Sequence, residues 1–250
     1  MPVALSDNTP MSFGEGQTFQ RVMLKLSGEV FGGEKGSGFD YDVIRGIARQ
    51  IASVAQLGVK VGVVVGGGNI FRGMRSAPPE LDRVTGDHMG MLATVINAIC
   101  FQDALEGLGV ETRVMTSIEI SAVAEPYIKR RMHRHLELNR VVIFGAGTGH
   151  PYFTTDTAAA LRASEMSADV LIKCTKVDGV YNKDPEIHKD ATRFDKLSYQ
   201  DVIREELRVM DTTAVAFCKD NAIPILVLNI EEDGSLMRAI KGGREGTLVR

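Results

Sequence analysis

Lys25 and Lys173 each stand inside an otherwise apolar, strand-like run, Arg21-Val22-Met23-Leu24-Lys25-Leu26-Ser27 and Asp169-Val170-Leu171-Ile172-Lys173-Cys174. One such lysine reads as a solubilising residue on an edge strand; two favour an anion as their partner. The run Val61-Gly62-Val63-Val64-Val65 ends in Gly66-Gly67-Gly68, and Arg72 follows. Consecutive glycines leave backbone N–H groups bare, so a phosphate can approach them closely, and an arginine forks onto phosphate oxygens. A further run, Arg140-Val141-Val142-Ile143-Phe144, ends in Gly145-Ala146-Gly147-Thr148-Gly149. Open α/β sheets bind ligands at the carboxyl ends of their strands. The ends carrying Ser27 and Gly28, Gly66 to Arg72, Gly145 to Gly149, and Thr175 and Lys176 should therefore converge on one edge. The chemistry expected there is binding of a polyanion, most naturally a nucleotide.

Two carboxylates have double readings. Asp156 fits a helix N-cap, a role Thr154 and Thr155 could share, or an acid set among Lys25 and Lys173 to hold them or to bind Mg²⁺ through water. Asp87 fits a first-turn acid favoured by the helix dipole, or a partner for ribose hydroxyls. The common nucleotide motifs are absent. Gly28 to Gly33 has the P-loop glycine spacing, but Glu34 stands where lysine is required, and Gly68 to Gly73 is followed by Met74. Gly145 to Gly149 lacks the third dinucleotide-fold glycine, and Pro151, Tyr152 and Phe153 intervene before the next helix. The histidines show no zinc spacing beyond an exposed-looking His133/His135 pair, and no Gly-x-Ser-x-Gly elbow occurs.

The elements that must position these residues alternate along the chain. Helices are expected over 42–57 (apolar stripe Val43, Ile47, Ile51, Val54), from about 85 to 107–109, over 124–138, 156–168, 199–206 and 211–221, and near 235–241. Strands are expected over 21–27, 61–65, 110–118, 140–144, 169–174, 224–230 and 247–249, with a loop from Val177 to Pro185. The basic run Lys129 to Arg134 shares its helix with the stripe Ile128, Met132, Leu136, so its charges read as a solvated face. Strand–helix alternation predicts a three-layer αβα sandwich with a mostly parallel sheet. Residues 1–20 read as a flexible tail without signal-peptide character, and 21–250 as a single domain, with halves meeting near Asn139.

The 250 residues carry a net charge of −3, and no run is long and apolar enough for a membrane span. This balance argues against nucleic-acid or anionic-membrane partners. Cys100, Cys174 and Cys218 read as reduced core thiols of a cytoplasmic protein.

Five blocks resemble the bacterial uridylate (UMP) kinases of the amino acid kinase superfamily. They are Lys25-Leu26-Ser27-Gly28-Glu29, Gly66 to Gly73, Gly86-Asp87-His88-Met89-Gly90-Met91-Leu92-Ala93-Thr94, Thr154-Thr155-Asp156, and Lys176-Val177-Asp178-Gly179-Val180-Tyr181. The resemblance implies Mg²⁺-dependent phosphoryl transfer from ATP to UMP in a cytoplasmic homohexamer. It implies ATP phosphates on Lys25, Leu26, Ser27, Gly28 and Gly68, Arg72 between donor and acceptor, and adenosine on Thr175, Tyr181 and Asp184. UMP would lie on Gly67, Asp87, Thr148, Gly149, His150, Pro151, Tyr152, Phe153, Thr154 and Thr155, and Asp156 would organise Lys25 and Lys173. GTP would activate and UTP inhibit, with Arg113 and Arg140 in the GTP pocket and the Gly33–Gly38 loop as a regulatory segment. His150 departs from the pattern, since many relatives carry Asn there. Carboxylate or carbamate kinases share the fold, but an acid such as Asp87 suits a ribose diol and repels a carboxylate. A non-catalytic anion-binding protein would need the donors but not Asp156.

Overall fold

The computed structural model describes residues 19–72, 78, 80–185, 187–207 and 209–250. The Ser76–Pro79 break and the tail up to residue 18 lie largely or wholly outside them. Phe19 is buried, and the Gln20 N–H donates to Asp169 Oδ2 at 2.7 Å.

In chain order the elements are β1 (Arg21–Leu26), α1 (Gly28–Phe31), a 3₁₀ turn (Gly33–Lys35), α2 (Tyr41–Ala55), β2 (Lys60–Val65), α3 (Arg83–Glu106), β3 (Thr112–Thr116), β4 (Glu125–Pro126), α4 (Lys129–Glu137), β5 (Val141–Gly145), α5 (Thr155–Met166), β6 (Val170–Thr175), β7 (Val180–Tyr181), β8 (Arg193–Phe194), β9 (Lys196–Leu197), α6 (Tyr199–Arg204), α7 (Thr212–Asp220), β10 (Ile225–Asn229), α8 (Ser235–Ile240) and β11 (Thr247–Val249). A nine-stranded sheet runs β4-β3-β5-β2-β1-β6-β10-β11-β9. Its pairs are parallel except β10–β11, and β7 pairs separately with β8. β5, which follows Asn139, inserts between β3 and β2, so strands from both sides of that position share one sheet.

Strand side chains alternate between two cores. Val22, Leu24, Leu26, Val63 and Ile172 meet α2, α3 and α8 on one face. Met23, Val64, Phe144 and Leu171 meet α4, α5 and α7 on the other. The expected αβα sandwich is therefore observed. The central strands are apolar on both faces because both are covered by helices.

Several local expectations are corrected. The segment before α4 is not helical: Glu125 and Pro126 form β4 beside β3, because Pro126 lacks an N–H and biases its predecessor toward extended backbone. His135 is buried beside Leu136 rather than exposed, with Nε2 at 3.0 Å from Glu125 Oε2. The loop after Val177 contains the short β7, and the glycine-rich stretch after β1 contains α1 and the 3₁₀ turn. Cys174 and Cys218 are core thiols pushed up to about 12 by burial, whereas Cys100 is only half-buried.

Candidate active site

β5, β2, β1 and β6 are consecutive and parallel, so the four strand ends singled out in the sequence lie side by side on one edge of the sheet. On β1 and β6, Lys25 and Lys173 are register partners on the face that meets α5. Two ammonium groups held side by side would repel each other. Asp156, in the first turn of α5, separates them: its Oδ1 is 2.7 Å from Lys25 Nζ and its Oδ2 2.6 Å from Lys173 Nζ. Burial by itself would raise the Asp156 carboxyl, but Lys25 and Lys173 outweigh it and hold the group at about 2. Burial, and then the Lys25 charge, lower the Lys173 ammonium against the pull of Asp156. One carboxylate against two ammonium groups leaves the buried cluster cationic, ready for an incoming anion.

The double reading of Asp156 is resolved by Thr154. The Thr154 hydroxyl caps α5, accepting from the N–H groups of Asp156 at 3.0 Å and Thr157 at 3.4 Å. The Asp156 carboxylate is thereby left to the lysines.

Glycine at the first position of α1 is dictated by space. A Cβ on Gly28 would lie 2.5 Å from Gly68 N and 2.6 Å from Gly66 O. A Cβ on Gly67 would lie 2.8 Å from the Ala93 methyl of α3. The two glycine loops therefore touch each other and α3, besides offering N–H groups; those at the start of α1 have no intrahelical partner. Leu26 faces the core and can offer only its backbone. Beneath this cradle Asn69 and Asn97 form a buried amide pair, and Asn97 donates to Gly66 O at 2.6 Å. The segment 33–38 covers the same edge. Gly36 O accepts from Arg72 at 3.1 Å, Gly33 O from Lys176 at 2.8 Å and Gly38 O from Asn69 at 2.8 Å.

At the β5 end, Asp87 Oδ2 accepts from Arg83 Nε at 2.9 Å and from the Tyr152 N–H at 2.8 Å. Asp87 thus ties the start of α3 to the loop 148–154, where Tyr152 has a left-handed φ of 73° and Gly149 one of 82°. Thr148 Oγ1 accepts from the His150 N–H at 3.2 Å, while His150, Tyr152 and Phe153 are exposed. On the other side of the triad, Thr175 Oγ1 donates to Val177 O at 2.6 Å, closing the turn after β6. Tyr181 OH donates to Asp178 at 2.6 Å on β7, and Asp184 O accepts from the His188 N–H at 2.9 Å. Arg113 and Arg140 are not part of this edge. They stand at the amino ends of β3 and β5, with Arg140 donating to Glu111 at 2.7 Å and Arg113 3.8 Å from Glu125.

Two supporting residues escape a sequence reading. Asp211 caps α7 yet also accepts from Thr154 and Thr157 on α5. Arg162, buried in α5, lies 3.6 Å over the Tyr127 ring and donates to Ser117, which in turn donates to Gly147 O in the β5 loop. An Asp before Thr212-Thr213 signals a cap; nothing in the sequence signals its second helix.

A model of the amino acid kinase family matches residues 20–229. The chain belongs to the amino acid kinase family. Among solved structures of this fold, the UMP kinase of Bacillus anthracis is 40% identical with a TM-score of 0.90, over 94% of this chain and 97% of that one. The UMP kinase of Ureaplasma parvum is 35% identical with a TM-score of 0.86, over 92% and 98%. The uridylate kinase of Archaeoglobus fulgidus is 31% identical with a TM-score of 0.70, over 92% and 99%. The resemblance read from the sequence blocks thus holds over nearly the whole amino acid kinase domain.

Proposed function

We propose that the protein is a UMP kinase, transferring the γ-phosphoryl group of ATP to UMP and releasing ADP and UDP. The observation that carries this reading is the buried Lys25–Asp156–Lys173 triad beside the glycine cradle, in a chain 40% identical to a UMP kinase. Phosphoryl transfer is mostly positioning and charge stabilisation. The nucleophile is a UMP phosphate oxygen, already ionised near neutral pH, so no general base is required. Lys25, Lys173 and the N–H groups around Ser27, Gly28 and Gly68 act on the donor phosphates. Arg72 leaves Gly36 O to bridge donor and acceptor. Thr175, Tyr181 and Asp184 serve the adenosine. Gly67, Asp87 and the stretch Thr148 to Thr155 serve UMP, with the Asp87 carboxylate as the partner of the ribose hydroxyls. Among the described residues no three His, Cys, Asp or Glu side chains cluster for a metal, and Asp156 is engaged by lysines. That set fits Mg²⁺ carried in on the nucleotide phosphates and water, where it would supply charge neutralisation of the transferred group.

A coupled ADP-release assay with MgATP tests the reading. Turnover is expected with UMP and not with aspartate, acetylglutamate or carbamate. Turnover with one of those acids would overturn the acceptor assignment, and no ADP release with any acceptor, alongside tight ATP binding, would leave only an anion-binding protein. GTP is expected to raise the rate and UTP to lower it, through Arg113, Arg140 and the Gly33–Gly38 segment. Unchanged rates with either nucleotide would remove that regulation.

We also propose that the protein assembles as a homohexamer, and one surface supports association. Met89, Leu92, Ile96 and Ile99 form an exposed apolar stripe along α3, and Leu92 and Ile96 are each about half exposed. Sedimentation velocity should give six chains. Ile96→Glu should release smaller species, and a monomeric parent protein would refute the assembly.

A further inference from the structure

We infer that Asp211 is a positioning residue: it binds the first turns of α5 and α7 together and so sets the carboxylate of Asp156 between the two lysines. The inference rests on the roles proposed above for Asp156 and Lys173.

Asp211 lies far from Asp156 in sequence, at the start of a different helix. Its Oδ1 accepts from the Ala214 N–H at 2.9 Å, an ordinary α7 cap. The same carboxylate takes the Thr157 hydroxyl at 3.0 and 3.1 Å and the Thr154 hydroxyl through Oδ2. A cap requires only one of these contacts. The other two reach α5 on either side of Asp156. Thr154 is itself the α5 cap, holding the Asp156 N–H at 3.0 Å. A hydroxyl has one proton to donate. By taking the Thr154 proton, Asp211 leaves the Thr154 lone pairs to receive the α5 N–H groups. The chain of contacts therefore runs from Asp211 through Thr154 to the backbone of Asp156, and from its carboxylate to both lysines.

A second effect follows from charge. The groups facing Lys173 are Lys25 on β1, Asp156 on α5 and Asp211 at the α7 start, and Asp211 is one of the groups that pull the Lys173 ammonium upward. Of the two carboxylates, only Asp156 is in ion-pair contact with the lysines. Asp211 touches neither lysine at ion-pair distance, so it steadies Lys173 without occupying the donors that a phosphate would need.

Asp211→Asn tests this. The amide oxygen can still cap α7, while one acceptor and the charge are lost. The expected result is a fall in kcat with UMP of about tenfold, with KM for ATP within about twofold. The alkaline limb of kcat/KM should move to lower pH. A readout independent of turnover is the pH dependence of Lys173 acetylation by acetic anhydride in the ligand-free protein, followed by peptide mass spectrometry. Its midpoint should also move to lower pH. If the acetylation midpoint or kcat is unchanged, Asp211 is a structural cap and the inference falls. If the parent protein turns over no UMP, the UMP kinase reading falls, while the acetylation midpoint still decides the inference. Should Asp211→Asn fail to fold, Thr157→Val removes one α5 link and leaves the cap intact. It should shift kcat and the acetylation midpoint in the same direction by less, and no shift in either would overturn the inference.

Discussion

Lys25→Ala will cost about 10³-fold in kcat, on the order of 4 kcal/mol of transition-state stabilisation, while the fold survives. The survival follows from charge counting at the triad. Asp156 holds Lys25 at 2.7 Å and Lys173 at 2.6 Å. With Lys25 gone, Asp156 and Lys173 remain a neutral, hydrogen-bonded pair, so no uncompensated charge is left in the core. The rate loss follows from position. Lys25 lies on β1 on the face that meets α5, and in the proposed role its charge would act on the transferred group mainly in the transition state. Lys25→Met, which keeps the apolar stem, should show the same rate loss with a smaller change in Tm. Circular dichroism melts and the coupled assay measure the two effects separately. Turnover near the parent value in both variants would remove Lys25 from the catalytic group.

Asp156→Ala will have the opposite balance, unfolding the protein more readily than any single lysine change. It leaves two register-paired ammonium groups facing each other with no carboxylate between them. Removing one partner of a buried ion cluster costs about 3–5 kcal/mol, or roughly 10 °C in Tm for a chain of this size. The pH dependence carries a further signature. The Asp156 carboxyl is held at about 2, below its ordinary 3.8. A group depressed on folding contributes stability above its unfolded value, and that stability is lost as pH falls through the folded one. The window is therefore about pH 4 down to about pH 2, and the amount is on the order of 2 kcal/mol. Lys173 is also lowered. As a base its penalty is present at low and neutral pH and lifts as pH rises toward its unfolded value, so it adds nothing to the acid window. Chemical-denaturation curves of the parent and Asp156→Asn should converge across the acid window. A constant difference from pH 7 to pH 2 would refute the linkage.

The residues of the candidate site were legible because they break local rules. A lysine inside an apolar strand, glycines stacked after valines, and an acid beside two threonines each conflict with a purely structural role. Strand alternation then dictates that Lys25 and Lys173 face one layer, since each follows an apolar residue facing the other. Local chemistry misled where a neighbour overrode it. The basic run suggested a helix from Ala124, but Pro126 forced an extended β4 first. His135 looked exposed among arginines, yet it takes the buried position beside Leu136.

By itself the sequence determined the layer architecture, the edge of the sheet where the candidate site gathers, and the residue types found there, because periodicity and strand ends are local properties of the chain. Only the tertiary structure decided which partners those residues have. It set Lys25 opposite Lys173 in register, gave the α5 cap to Thr154 so that Asp156 could face the lysines, and brought Asp211 from α7 onto α5. It also sent Arg113 and Arg140 to the amino ends of their strands, away from the triad. These pairings depend on strand order and helix packing, which join residues far apart in the chain, and no local spacing encodes them.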